Sequence, residues 1–129
     1  MTVPYYQVDQ QGVVFNMWYL AWLDEAMSGF LASLGQPYDG LIRDGVDVQL
    51  VHTDVDWRGS ARWGDTAAVA VSADAIGATS FTLAFRVSVG DKVIATAKTV
   101  YVMIGTDGSG KRELPSALRR AFESSPDDA

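Results

Sequence analysis

The apolar residues of this chain follow two different periods, and the change between them limits the folds that the chain can adopt. Between Met17 and Leu34 they recur at spacings of three and four residues, as on one face of an α-helix. The residues that mark this face are Tyr19, Trp22, Leu23, Ala26 and Phe30. From about residue 46 onward the period falls to two, which is the spacing of side chains on one face of a β-strand. One long amphipathic helix followed by several strands predicts an α+β fold.

Four segments carry the strand pattern. The clearest is 81–89, FTLAFRVSV, whose bulky apolar residues all fall on one face: Phe81, Leu83, Phe85, Val87 and Val89. The other three cover roughly 46–57, 66–76 and 92–104. Tight hairpin turns are predicted at 89–92 and around Gly77. These consecutive strands are expected to form a curved antiparallel sheet that buries the apolar stripe of the helix.

The predicted helix has recognisable start and stop signals. Asn16 is expected to be its N-cap, because a side-chain amide oxygen can accept a free backbone N–H there. Gly35 followed by Pro37 predicts the end of the helix, since proline cannot continue it. Before the helix we expect a short N-terminal strand, and after it a loop at 35–45.

Length and composition predict one domain. With 129 residues, 48% of them hydrophobic, the chain is long enough to form one core. We therefore assign 1–129 to a single domain with a partly disordered C-terminal extension at 110–129. Within this extension, LPSALRRAFESS predicts a short helix that has Pro115 in its first turn, and SPDDA at the end is expected to be frayed.

Charge and missing motifs exclude several classes of function. A formal net charge of −6 disfavours binding to nucleic acid, which needs a broad basic surface. There are no cysteines, so neither disulfides nor thiolate metal ligands are available. The first ten residues lack the features of a signal peptide, and no apolar run approaches the roughly 18 residues of a membrane span. We expect a cytoplasmic protein.

Two features of the sequence concern partners. Four of the ten basic residues fall within 111–120, where they form either a solvated face or a phosphate-binding patch: Lys111, Arg112, Arg119 and Arg120. The predicted strand at 66–76 is small or apolar on both faces. We therefore expect the outer face or the edge of the sheet to meet another subunit.

The stretch VDQQGVVFNMWYLAWLDEAM, residues 8–27, joins a turn that carries Asp9 to the aromatic start of the helix. Gly12 predicts the tight part of this turn. Taken alone, Asp9 is typical of an aspartate whose carboxylate bonds its own backbone. Trp18, Tyr19 and Trp22 are more typical of a core than of a ligand pocket, and we expect at least Trp22 to lie in the core.

This order of residues, followed by GSARWGD and TSFTLAFRVSVGDKVIATAKTVYVMI, resembles the 4-hydroxybenzoyl-CoA thioesterase family of hot-dog fold proteins. The resemblance covers roughly residues 3–104. It implies a hot-dog fold and the hydrolysis of an acyl-CoA thioester without a metal or an organic cofactor. It also implies a homodimer or homotetramer that has its active sites at subunit interfaces.

The resemblance further implies roles for individual residues. Asp9 matches the catalytic aspartate, which acts as a general base or as a nucleophile. Asn16 matches the residue whose backbone N–H points at the thioester carbonyl oxygen. Asp24 lies where an acid of the 4-hydroxybenzoyl enzymes recognises a phenolic hydroxyl. Further substrate contacts are expected from Gly12, Trp18, Tyr19, Arg58 and Arg62, the two arginines being either phosphate ligands or exposed strand-end residues.

The chemistry of thioester hydrolysis explains why an acid and a helix start would lie together. The reaction needs a water or carboxylate nucleophile at the carbonyl carbon, and donors where charge grows on the carbonyl oxygen. The first N–H groups of a helix lack intrahelical partners, and the helix dipole favours an anion there. The turn at Gly12 would fold Asp9 back toward this position.

Other functions remain open on the sequence alone. The chain could hydrolyse an acyl group carried on an acyl carrier protein if the basic cluster at 111–120 docks that acidic protein. It could also be a non-catalytic acyl-binding protein, although an acid beside an apolar pocket would weaken binding. A metal site at His52, Asp54 and Asp56 matches zinc spacing poorly. The mid-strand position of His52, the sole histidine, also disfavours a hot-dog hydratase.

Overall fold

A four-stranded antiparallel sheet forms one layer of the fold. In this computed structural model, which describes residues 1–125, the strand order is β1-β4-β3-β2. The strands span Val46–Trp57 (β1), Ala67–Ile76 (β2), Ser80–Val89 (β3) and Lys92–Gly105 (β4). Strands β2, β3 and β4 form two hairpins, whose turns at 77–79 and 90–91 lie where they were predicted, and β1 pairs with the far side of β4. All four strand predictions are confirmed to within one residue at each end.

One long helix, α1 (Asn16–Ser33), packs against the inner face of this sheet. Five of its side chains are buried there: Tyr19, Trp22, Leu23, Met27 and Leu31. Alternate residues of β3 belong to the same core, and Phe81, Leu83, Phe85 and Val87 are each at most 3% exposed. The predicted α+β hot-dog architecture, a long central helix wrapped by a curved antiparallel sheet, is confirmed.

Helix α1 starts one residue earlier than predicted. The N-cap is Phe15, which has an extended conformation (φ −66°, ψ 141°) and makes no side-chain capping bond. Its backbone N–H donates to the carbonyl of Gln7 at 2.9 Å, and this bond holds the extended conformation in place of a cap. Asn16 is therefore the first helical residue, and its prediction as the N-cap is wrong. Gly35, at φ +76°, forms the predicted stop.

Two connecting segments also differ from their predictions. The expected N-terminal strand is a short 3₁₀-helix, Tyr5–Gln7, flanked by single β-bridges from Thr2 and Val8. Pro4 precedes this helix, and a residue without an N–H fits a helix start better than a paired strand. The expected loop after α1 contains a second helix, α2 (Tyr38–Arg43).

The C-terminal segment closes one end of the core. Helix α3 (Ser116–Ser124) forms as predicted, with Pro115 as its N-cap. Phe122 is buried, and its ring centroid lies 4.8 Å from that of Phe81. Residues 126–129, most of the tail predicted to be frayed, lie outside the described residues. Within 1–125 no helix combines the length and the apolar composition that a membrane crossing requires.

Two buried hydrogen bonds fasten α1 to the loops around it. The indole N–H of Trp22 donates to the side-chain oxygen of Gln7 at 3.0 Å. The hydroxyl of Tyr19 accepts the backbone N–H of Ala61 at 2.9 Å. By contrast, the buried hydroxyl of Tyr101 on β4 has no hydrogen-bond partner among residues 1–125. Burial raises the pKa of both tyrosines, so both are neutral phenols.

The two buried tyrosines provide a matched test of these hydrogen bonds. Tyr19→Phe leaves the buried N–H of Ala61 without its acceptor, so the free energy of unfolding is expected to fall by about 1–3 kcal/mol. Tyr101→Phe removes a hydroxyl that has no partner, so the free energy of unfolding is expected to stay constant or rise. Urea denaturation at equal protein concentrations measures both. Equal losses in the two variants would contradict the assignment.

Candidate active site

A cavity of about 560 Å³ lies where the start of α1 meets the end of β1. Its lining includes Asp9, Phe15 and Asn16 on one side and Trp57, Gly59 and Ser60 on the other. The structure therefore brings Asp9 and Asn16, which are seven positions apart in the sequence, to the same cavity.

A tight turn holds Asp9, which lines this cavity. The Asp9 N–H donates to the carbonyl of Val13 at 2.9 Å, and the Gly12 N–H donates to the carbonyl of Asp9 at 3.0 Å. Gly12 has φ +78°, a conformation that disfavours residues with a side chain. One carboxylate oxygen accepts the N–H of Gln11 at 2.8 Å, as an ordinary turn aspartate would. The other oxygen bonds no residue within 1–125, so it is free to contact a reactant.

The start of α1, where backbone N–H groups lack intrahelical partners, lines the same cavity through Asn16. The N–H of Trp18 donates to the carbonyl of Phe15 at 3.0 Å, whereas the N–H of Asn16 has no acceptor within residues 1–125. The first turn of α1 carries no acidic side chain that would neutralise the positive end of the helix dipole. This end of the helix is therefore suited to stabilise an oxyanion.

Backbone pairing holds the opposite wall against the Asp9 turn. Val13 pairs with Arg62 in a single β-bridge, and the N–H of Val14 donates to the carbonyl of Ala61 at 2.8 Å. The guanidinium of Arg62 lies close to Gly12, since a Cβ built on that glycine would be 3.9 Å from Nη1. Arg62 therefore lies beside the turn that carries Asp9.

Arg58 and Arg62, both predicted to contact substrate, are exposed. Neither guanidinium forms an ion pair with another residue of the described chain. The backbone N–H of Arg58 donates to the carbonyl of Ile94 at 2.8 Å, which fixes the chain as it leaves β1. Both cations are therefore available for an anionic ligand.

The basic cluster predicted at 111–120 does not form one free patch. Arg112 forms an ion pair with Asp107 at 3.4 Å, and Arg119 donates to the carbonyl of Gly77 at 2.7 Å. Only Lys111 and Arg120 of the four remain without such a contact in the described chain. Two of its four residues therefore stabilise the fold locally. This favours a structural role for the cluster over a phosphate-binding role.

The aromatic residues at the start of α1 differ in their surroundings. Trp22 lies in the core, as predicted. Tyr19 lines the cavity but is 2% exposed, and its hydroxyl is already bonded to backbone. Trp18 is half-buried and packs edge-on against Tyr6 at 5.4 Å between centroids. Phe15 and Trp57 also line the cavity and are 49% and 46% exposed, so they are its aromatic residues open to a ligand, and the Trp57 ring lies 6.4 Å from that of Tyr19.

Asp24 lies on the exposed side of α1 and outside the lining of the cavity. It is about 12 Å along the helix axis from Asn16, at a rise of about 1.5 Å per residue. The hydrogen bond that Tyr38 donates to Asp47, the partial burial of Tyr38 and, least of all, the charge of Asp24 raise the pKa of Tyr38 to about 12. Within one chain the structure does not bring Asp24 to the cavity, so its contact with an acyl group stays a prediction.

Sequence reasoning missed Gln7, which fastens the site together. Gln7 is 6% exposed, its side chain accepts the indole N–H of Trp22, and its carbonyl accepts the N–H of Phe15. A glutamine in this segment has no periodic signal, so only the tertiary contacts reveal its role.

Gly59 was also missed, and here the close packing on Ile94, 3.3 Å from a Cβ built on the glycine, explains why a small residue is needed.

A second concavity, of about 360 Å³, lies on the outer face of the sheet and is rimmed by charged residues that include Asp54, Asp56 and Lys98. Lys98 forms an ion pair with Asp74 at 3.3 Å, and His52 lies 3.1 Å from Asp54. Among residues 1–125 no group of three or more His, Cys, Asp or Glu side chains is arranged to hold a metal ion. This concavity lacks the helix-end donors, so the cavity at Asp9 is the better candidate for an active site.

Asp9, which has one carboxylate oxygen without a partner in residues 1–125, and Asn16, whose backbone N–H has no acceptor there, both line this cavity. This arrangement suits acyl transfer to water.

Comparison with known sequences identifies the family to which this chain belongs. The sequence profile of the thioesterase-like superfamily matches residues 3–122. A 1,4-dihydroxy-2-naphthoyl-CoA hydrolase from Nostoc punctiforme is 30% identical over 129 residues, which cover 99% of this chain and 87% of that protein.

Solved structures share the fold. A gentisyl-coenzyme A thioesterase superposes with a TM-score of 0.87 at 26% identity, over 95% of this chain and 96% of that one. A 1,4-dihydroxy-2-naphthoyl-CoA thioesterase from Synechocystis gives a TM-score of 0.87 at 24% identity, over 96% of this chain and 93% of that one, and supports the fold. The family resemblance seen in the sequence is confirmed by the profile match, and the chain belongs to the thioesterase-like superfamily.

Proposed function

We propose that this protein hydrolyses the thioester of an acyl-CoA, giving the free acid and CoA. Thioester hydrolysis as the reaction class follows from the family, and the substrate and the residue roles are proposed here. The observation that carries the proposal is that Asp9 and the start of α1 line one cavity. A single space thus offers both a carboxylate and the donors that a thioester carbonyl needs.

The helix start and Asp9 would have separate tasks. The thioester carbonyl oxygen accepts the N–H of Asn16, and such a donor typically contributes about 10²–10³ in kcat as negative charge develops. Asp9 either removes a proton from the water that attacks the carbonyl carbon or attacks that carbon itself. The second route forms a mixed anhydride that water then hydrolyses. In both routes the C–S bond breaks and the CoA sulfur leaves as a thiolate that takes up a proton.

We propose an aromatic acyl group for the substrate. The relatives named above act on 1,4-dihydroxy-2-naphthoyl-CoA and gentisyl-CoA, both of which carry hydroxylated rings. Phe15 and Trp57, which line the cavity and are 49% and 46% exposed, provide aromatic surface on which such a ring can pack. Asp24 lies outside the cavity of its own chain, so it could meet a ring hydroxyl only if a second chain completes the site.

Two alternatives are supported less well. An acyl carrier protein would dock on the basic cluster at 111–120, but Arg112 and Arg119 are already used within the chain. A non-catalytic acyl-binding protein gains nothing from Asp9, because a carboxylate oxygen without a partner beside an apolar acyl group weakens binding.

We also propose that two copies pair along β1 and thereby complete the sites. This edge strand is twelve residues long, and its Leu50 and Val51 are each 52% exposed. A long open edge with apolar side chains favours pairing with another strand. The other edge, β2, is partly covered, because Met1 and Ala67 exchange hydrogen bonds of 2.7 and 2.8 Å. Strand β1 is therefore the better edge for a subunit contact than the 66–76 segment.

Release of free thiol from a matched substrate panel tests the proposed activity. The panel contains a hydroxyaryl-CoA, a medium-chain aliphatic acyl-CoA, and the same aryl group on acyl carrier protein. We expect the highest kcat/KM with the hydroxyaryl-CoA. A preference for the carrier-protein substrate would support the first alternative, and no thiol release from any substrate would support acyl binding without catalysis.

Asp9→Asn tests the catalytic role on the best of these substrates. Asparagine keeps the side-chain oxygen that accepts the Gln11 N–H, so the turn and the melting temperature are expected to persist. The variant lacks a carboxylate, so kcat is expected to fall about 100-fold or more while KM changes little.

Asp107→Asn is the matched control for Asp9→Asn. Asp107 accepts the N–H of Ser109, two residues later, at 3.0 Å, which is the same local bond that Asp9 makes. It lies in the loop after β4, so Asp107→Asn is expected to retain wild-type kcat. A near-normal kcat for Asp9→Asn would reduce Asp9 to a turn residue.

Light scattering tests the subunit contact. The wild type is expected to have at least twice the 13.9 kDa mass of one chain. Val51→Asp brings like charges together across the proposed β1 contact and is expected to give inactive monomers, whereas Ala68→Asp on the exposed part of β2 is expected to retain mass and activity. A fully active wild-type monomer would contradict the proposal.

A further inference from the structure

An exposed aromatic pair lies next to the candidate active site. Tyr5 and Trp63 are 71% and 65% exposed, although rings of this size are usually largely buried. Their centroids lie 5.2 Å apart, and the ring planes meet at 77°. In such an edge-to-face pair one ring offers its edge, so flat aromatic surface remains open for another planar group.

Backbone hydrogen bonds hold this pair in place. The N–H of Val3 donates to the carbonyl of Asp65 at 2.8 Å, and the N–H of Gly64 donates to the carbonyl of Val3 at 3.0 Å. These bonds join the segment before Tyr5 to the turn that carries Trp63. The open rings are therefore positioned in advance, which lowers the entropic cost of binding a ligand.

A cation without an ion-pair partner adjoins the pair and reaches toward the active site. Arg62 precedes Trp63 in the chain, and its guanidinium lies against Gly12 in the turn that carries Asp9. No ion pair within residues 1–125 engages it. In a chain of net charge −6, an unpaired planar cation beside open aromatic surface suits a ligand that joins a flat base to phosphates.

We propose that Tyr5 and Trp63 form a stacking platform for the adenine base of CoA, with Arg62 contacting the adjoining phosphates. This inference rests on the proposed acyl-CoA activity and adds the surface that recognises the nucleotide end of the substrate. The thioester would enter the cavity at Asp9, and the pantetheine arm would run from there past the Asp9 turn to Arg62. Specificity for CoA over shorter thiols would then reside in Trp63 and its neighbours.

Calorimetric titration with adenosine 3′,5′-bisphosphate, the nucleotide fragment of CoA, tests the platform without requiring turnover. The wild type is expected to bind this probe, and Trp63→Ala is expected to raise its Kd about 10-fold or more, because stacking on an aromatic side chain is lost. Trp63→Phe keeps a flat ring and is expected to stay within a few-fold of wild type. No binding by the wild type, or equal binding by all three proteins, would overturn the proposal.

Turnover gives a second readout on the same variants. The ratio of kcat/KM for an acyl-CoA to kcat/KM for the same acyl group on pantetheine is expected to fall about 10-fold or more in Trp63→Ala. An unchanged ratio would overturn the proposal. If the wild type hydrolyses neither thioester, the proposed function fails, while the titration still decides whether the platform exists. A lower mass of Trp63→Ala in light scattering, with unchanged nucleotide affinity, would make the pair a contact between subunits instead.

Discussion

The candidate active site depends on the way Gln7 fastens the N-terminal segment to helix α1. Its carbonyl accepts the N–H of Phe15, which holds the chain extended at the point where the helix begins. Its side chain accepts the buried indole N–H of Trp22, almost two turns further along the same helix. Because Asp9 lies inside the loop that these bonds close, the position of the carboxylate relative to the helix start is set by buried contacts.

A second fastening fixes the opposite wall. The hydroxyl of Tyr19 and the carbonyl of Ala61 belong to one network, in which Ala61 donates to Tyr19 and accepts from Val14. The loop after β1 is thereby held against the turn that carries Asp9. The helix thus positions both walls through side chains of its first two turns, whereas Met27 and Leu31, further along α1, fill the core. Helix α1 therefore contributes to both the core and the candidate active site, so substitutions at Tyr19 or Trp22 are expected to affect both stability and activity.

The sequence predicted the parts of the structure that depend on local pattern. The strands and the long helix follow from hydrophobic period, and the likeness to a thioesterase family assigns Asp9 and Asn16 to one site. The capping role of Phe15 and the fastening role of Gln7 depend on contacts between segments, for which a single sequence carries no periodic signal. The 3₁₀-helix at Tyr5–Gln7 is not predicted, because a segment of three residues is too short to show a helical period.

The central claim is that one thioester carbonyl is contacted by both the start of α1, at its oxygen, and Asp9, at its carbon. A crystal structure of Asp9→Asn with an uncleaved acyl-CoA would test this claim most directly. The account predicts that the carbonyl oxygen lies about 2.7–3.1 Å from the backbone nitrogen of Asn16, with the side chain at position 9 facing the carbonyl carbon. A thioester bound with its carbonyl away from the start of α1, for example in the concavity on the outer face of the sheet, would contradict it.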